Sequence, residues 1–258
     1  MRIFYNNLID AAAASVIGYS SQATNFPAEN LRDPQRSKPW RMGTSAGVEY
    51  VTFDLGSAMD VSHVILLDHT IESSVVVTLE GNTSNTWGAP AFSQVVSLVI
   101  YDTLAITALT SPPRTYRYWR LTIDKGLGTD AFEIGRVFLG TYYDPTDPPD
   151  FDGFTRSAVD LSLKTRTPYG AVFGDTRPQY RRLRFDFTRI PDAQKVQLAT
   201  IAGTVGTVTP FFVQVDDSAA DELGEPVYVV HRDVPDFEVA GYDGESKWNT
   251  RLDLEEVL

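Results

Sequence analysis

The chain has 258 residues, 43% of them hydrophobic and 12% aromatic, enough for one large core or two ordinary ones, which excludes disorder as its general state. A formal net charge of −12 argues against a large nucleic-acid surface, because neutralising phosphates takes clustered Lys and Arg. The absence of cysteine removes disulfides, thiolate zinc sites and thiol nucleophiles together.

Near the start, Leu8 to Tyr19 is apolar, but Asp10 interrupts it and only Arg2 precedes it as a cation, so it does not read as a signal peptide. No run reaches the roughly 18 apolar residues of a membrane helix, and no membrane insertion is expected. Strand-like segments then follow at Tyr50–Leu55, Val61–Asp68, Ser74–Glu80, Tyr116–Asp124 and Glu133–Gly140. Tyr50–Leu55 alternates apolar with polar residues, as a strand with one face on a core does, whereas Val64-Ile65-Leu66-Leu67 is continuously apolar and suits a central strand. Gly81-Asn82 and Asp124-Lys125-Gly126 supply turns.

Between Tyr142 and Gly153, three prolines and four aspartates forbid a helix or central strand and mark a stiff, extended boundary. The expected division is therefore 1–143, a linker at 144–152, and 153–258. In the last segment Gln179–Thr188 alternates as one long strand. Pro191–Ile201 reads as a short helix with Val196, Leu198 and Ile201 inward. Strand candidates follow at Thr209–Val215, Glu225–Arg232, Pro235–Val239 and Lys247–Val257. The fold class is all-β, a sandwich plus a smaller mainly-β domain with one helix.

The first segment resembles the discoidin family, the coagulation factor five/eight type C or galactose-binding-like jelly rolls. The resemblance rests on Ala28-Glu29-Asn30-Leu31-Arg32-Asp33 with Trp40, Tyr50 to Gly56, Val61-Ser62-His63-Val64, Gly81-Asn82 with Trp87, Tyr118 to Ile123, and Glu133 to Gly140. The family's frequent terminal cysteine pair is missing, which points away from animal extracellular relatives and toward bacterial or viral ones. The closing stretch Trp248 to Val257, in a short β domain with one helix, resembles the C-terminal parts of minor and distal tail proteins of long-tailed bacteriophages, which pack into rings.

That resemblance implies sugar recognition by an aromatic platform and a few polar groups on loops at one end of the sandwich. The candidates are Trp87, Asn82, Asn85, His69, Glu72, Trp40 and Arg41. Trp40 and Trp119 are better placed as core aromatics, whereas Trp87 sits in the polar run Asn82 to Gly88 and has no obvious core to enter. His63 and His69, an even number of residues apart, are expected to share a face. Related jelly rolls hold calcium, and Asn30, Asp33 and Glu133 fall in the matching region. No other cofactor is expected.

No nucleophile elbow, phosphate loop or paired-histidine metal motif occurs, so no catalytic role is expected. Arg177, Arg181, Arg182 and Arg184, with Trp248, read either as an assembly surface or as a solvated strand face. Three readings follow. The first is a structural component of a phage or prophage tail tip, placed in the virion. It would partner other tail proteins and copies of itself in a ring, with the discoidin-like domain docking or reading host-surface glycan. The second is a carbohydrate-binding module of an extracellular bacterial protein, and the third a glycoside-active enzyme, resting only on abundant carboxylates.

Overall fold

Strands dominate, as the β-branched and aromatic content requires. The computed structural model describes residues 1–44, 47–98, 103–218, 223–242 and 246–258. The earlier strands are β1 (Arg2–Phe4), β2 (Ser15–Tyr19), β3 (Trp40–Arg41), β4 (Val48–Val61), β5 (His63–Leu67), β6 (Val76–Asn82), β7 (Phe92–Val95), β8 (Leu104–Ala108), β9 (Arg114–Asp124), β10 (Glu133–Ile134) and β11 (Arg136–Gly140). After them come β12 (Phe154–Asp160), β13 (Leu163–Arg166), β14 (Val172–Asp175), β15 (Gln179–Pro191), the helix α1 (Asp192–Val205), β16 (Phe211–Gln214), β17 (Val227–His231), β18 (Phe237–Tyr242) and β19 (Ser246–Glu256). They form two compact units, residues 6–143 with 218–225, and residues 1–5 with 144–217 and 226–258.

In the first unit an antiparallel five-stranded sheet, β2-β4-β9-β6-β7, faces a three-stranded one, β11-β5-β8. Alternate residues of the large sheet, Val51, Phe53, Val77, Leu79, Trp119, Leu121 and Ile123, share one buried cluster with Val64, Leu66, Ala105, Val137 and Leu139 of the small sheet. The two sheets thus pack face to face as a β-sandwich around one core. The apolar run of β5 is central in its sheet and buried throughout. Two expectations change. β4 does not end at Gly56 but bends through a bulge between Asp54 and Met59. Gly56 is needed there because its φ is +80° and a Cβ would lie 2.9 Å from that of Ala13. Glu133–Gly140 is two strands that part at Gly135, β10 pairing with β3 and β11 with β5.

The second unit is a seven-stranded sheet ordered β1-β16-β17-β19-β15-β12, with β18 also on β19. Residues 1–5 are thereby drawn out of the first segment: Ile3 pairs with Val213, and Ile3 and Phe4 are buried. α1 packs on β15 and β19 and buries Gln194, Leu198, Ile201, Ala202 and Val205, one helical face. Val196 is two residues off that face and half exposed, contrary to expectation. The proline-rich boundary is fastened rather than free. Asp147 N–H donates to Gln194 Oε1, Gln194 Nε2 donates back to Asp147 O, both at 2.8 Å, and the Thr188 hydroxyl donates to Asp150. The hairpin β13-β14 is a sheet of its own, with every strand residue exposed.

Candidate functional site

The face of the five-stranded sheet that points away from the core carries the polar half of the alternation. Antiparallel register sets Thr52, Arg120 and Glu80 in one row and Tyr50, Thr122 and Thr78 in the next. Arg120 Nε donates to Glu80 Oε2 at 2.7 Å. Its guanidinium lies 4.7 Å from the centre of the Trp87 ring and 5.5 Å from that of Tyr50, within cation–π reach of both.

The loop after β6 is tied to itself. Asn82 Nδ2 donates to Thr86 O at 2.7 Å, and Asn82 Oδ1 accepts from Thr83 N–H at 2.8 Å. Trp87 Nε1–H donates to Asn85 Oδ1 at 2.8 Å. A half-buried indole is therefore held by an amide at its edge and a guanidinium over its ring, beside a carboxylate and hydroxyls. The strand end beneath needs Gly81, since a Cβ there would meet Tyr116 Cδ2 at 2.7 Å and Trp119 Cζ3 at 3.2 Å. Closer to the β4 bulge, Arg117 forks onto Asp54 at 2.7 and 2.9 Å, and that hydrogen bonding holds the Asp54 carboxyl below the usual carboxylate range.

Five of the seven ligand candidates fall into two groups. Asn82, Asn85 and Trp87 gather at the end of β6. His69 and Glu72 lie before its start, six strand steps or about 20 Å away. Trp40 is fully buried and donates its Nε1–H to Ser21 O at 3.1 Å, so it is a core residue. Arg41 pairs with Glu133 and covers Phe26 at 4.1 Å. His69 is buried, and desolvation lowers its pKa. It does not share a strand face with His63, because β5 ends at Leu67 and Asp68 turns the chain with φ +53°. His63 instead meets Tyr142 edge-on at 5.0 Å. Glu72 is exposed, and its carboxylate accepts the Ser74 hydroxyl at 3.5 Å.

The calcium candidates are committed elsewhere. Asp33 accepts from Lys38 Nζ at 2.8 Å and from Gln35 N–H at 2.9 Å, and the lysine holds its pKa down. Glu133 is engaged by Arg41, and Asn30 donates to Pro39 O at 3.0 Å. Among the described residues no three acids, histidines or cysteines come together as a metal-ligating group. In the second unit Arg181 forks onto Glu256, while Arg182, Arg184 and Arg232 surround Asp253. Arg177 pairs with Asp175 at 3.0 Å, and Trp248 Nε1–H donates to Asp192 at 3.1 Å under Lys195. Each expected assembly residue thus has a partner on its own chain.

Glu80, Arg120 and Tyr50 are site residues that reading the segments one by one misses. Their parity, opposite to Leu79, Trp119 and Val51, marks them as outward. Their meeting depends on strand pairing across some forty to seventy positions.

No protein-family model matches the chain, and no curated protein matches it. Solved structures do. CpGH89CBM32-6 produced by Clostridium perfringens is similar at 19% identity and TM-score 0.41, over 53% of this chain and 99% of that one. The family 32 CBM from C. perfringens NanJ in complex with galactose is similar at 14% identity and TM-score 0.41, over 55% of this chain and 100% of that one. A Streptococcus pneumoniae fucose binding module is similar at 12% identity and TM-score 0.42, over 53% of this chain and 96% of that one.

Proposed function

We propose that the sandwich is a non-catalytic recognition module that binds glycan at Trp87, outside the bacterial cell. One observation carries this reading. Of the three tryptophans in the unit, Trp40 and Trp119 are fully buried, and Trp87 alone keeps a solvent-facing part, oriented by Asn85 and Arg120 rather than by the core. A ring fixed before the ligand arrives loses little entropy on binding. It offers a flat apolar surface for the C–H side of a sugar, while Asn85 at its edge and Glu80 beside Arg120 can serve hydroxyl groups.

Galactose, held in the NanJ structure, and fucose, for which the pneumococcal module is named, are the first probes. Titration calorimetry and a glycan array on the full chain should show binding that falls at least about tenfold in Trp87→Ala, with the melting temperature nearly unchanged. A wild-type protein that binds no glycan, or a Trp87→Ala variant that binds like it, would overturn the reading.

A second reading takes the whole chain as a structural component of a phage tail tip, with the module turned to the host surface. The bare β13-β14 hairpin favours it, since an exposed two-stranded arm suits an assembly better than an isolated chain. Mass spectrometry of purified virions should then find the chain in the tail. Particles that lack it remove this reading and leave the first in place.

A further inference from the structure

The hairpin has two unlike faces. Register pairs Leu163 with Asp175, Lys164 with Gly174, Thr165 with Phe173 and Arg166 with Val172. Alternation therefore puts Leu163, Thr165 and Phe173 on one side, and Lys164, Arg166 and Val172 on the other. Leu163 and Phe173 are 55% and 64% exposed, where an unassembled chain would cover them. The tip is ordered. Thr167 and Ala171 exchange hydrogen bonds, Gly170 turns at φ +87°, and Tyr169 stands fully exposed. In a chain of net charge −12, the hairpin carries Lys164 and Arg166 against Asp175, whose carboxylate is paired with Arg177 just beyond it.

The same unit holds a groove of about 750 Å³ at the other end of β12. It is lined by seven carboxylates, among them Asp152, Asp236 and Glu238, against the guanidinium groups of Arg184 and Arg251. Two of the seven, Asp253 and Asp186, are paired with those arginines, which leaves five. Val234, 58% exposed, and Pro235 give the lining an apolar strip. The groove touches residues just before Phe154, whereas the hairpin leaves after Asp160, six strand steps or about 20 Å further on.

We propose that the β13-β14 hairpin of one copy docks in the carboxylate-lined groove of a second copy of this chain. Charge complementarity selects this occupant: a cationic, partly apolar arm and an anionic groove with an apolar strip occur on one chain at separate places. Tyr169 and Phe173 are the anchors, rigid aromatics with little entropy to lose. Because arm and groove are different patches, the contact is head-to-tail and repeats into a ring or an open chain of copies. It does not depend on glycan binding, and a chain that binds no sugar leaves it standing.

Sedimentation of the full chain at rising concentration should show association that weakens with salt. Lys164→Glu with Arg166→Glu should weaken it at least about tenfold. Mixing that variant with an Asp236→Lys, Glu238→Lys copy should restore a complex. A wild type that stays monomeric at all concentrations overturns the proposal. So does association indifferent to the charge reversal, or a reversal that mixing fails to rescue.

The chain contains no cysteine, so a second measurement is clean. A Tyr169→Cys, Glu238→Cys double variant, oxidised, should run as a ladder of linked copies on a non-reducing gel. Mixed single variants should yield the heterodimer. Equal cross-linking in either single variant alone would refute the head-to-tail contact.

Discussion

His231 lies at the end of β17 with 3% of its surface exposed, tilted against Phe211 at 5.1 Å, and neither ring nitrogen has a hydrogen-bond partner among the described residues. Burial alone pushes its pKa down from 6.5 to about 4. The folded imidazole therefore stays neutral where the unfolded one binds a proton. Stability is intact above pH 6.5 and is lost as pH falls toward 4, by up to about 3 kcal/mol. Replacing the ring by His231→Phe should flatten this part of the curve. Urea melts of both proteins between pH 4 and 7 give the comparison, and parallel curves would contradict the assignment. Gly81 makes a second residue-scale case, facing the Phe92, Tyr116 and Trp119 rings. Gly81→Ala should cost about 1–3 kcal/mol by overpacking and change the near-ultraviolet dichroism of those rings.

At the scale of elements, the clasp between Gln194 and Asp147 ties the first turn of α1 to the proline-rich segment. Gln194→Ala removes two part-buried hydrogen bonds and should cost about 1–3 kcal/mol. Amide exchange should speed up at Asp147 and Asp150, and unchanged exchange there would mean that the segment is held by other contacts. Which elements could be read beforehand follows from what each one buries. β5 declared itself by an unbroken apolar run, and β9 by Trp119, Leu121 and Ile123 at alternate positions. α1 was visible from Pro191 and its apolar spacing, though Gln194 holds a buried place that Val196 had been expected to share. β12, β13 and β14 bury little and so carry no apolar alternation to notice. β1 has only three residues, and what identifies it is β16, far along the chain. The site divides the same way. Trp87 stood out as an aromatic in a polar loop, while its neighbours Arg120 and Glu80 are set by long-range pairing that local pattern does not encode.

At the scale of the whole molecule, the topology makes the sandwich an insertion. The second unit begins with β1, resumes at residue 144 and ends with β19 at the heart of its sheet. Within the sandwich the entering and leaving segments are neighbours: Asn7 donates to Val137 O at 2.9 Å and accepts from Leu139 N–H at 3.0 Å. Removing Arg2–Phe4 while keeping an initiating methionine strips two buried apolar side chains, Ile3 and Phe4, from the edge of the larger sheet. That should cost about 3–6 kcal/mol, with loss of amide protection at Phe211–Gln214. Protection equal to the wild type would show β1 to be dispensable.

The pairing of Ile3 with Val213 has a further consequence, one of order in time. A ribosome making this chain releases β1 first, yet the strand it pairs with leaves some two hundred residues later. The two sheets of the sandwich can close as soon as residue 143 is out, because their strand pairings lie within that stretch, and residues 218–225 join the unit later. For the whole of that interval Ile3 and Phe4 are an unpaired, sticky stretch borne by a nascent chain. The sheets of the sandwich are thus the part that matures early, and the sheet that β1 edges is completed only after β16 has emerged.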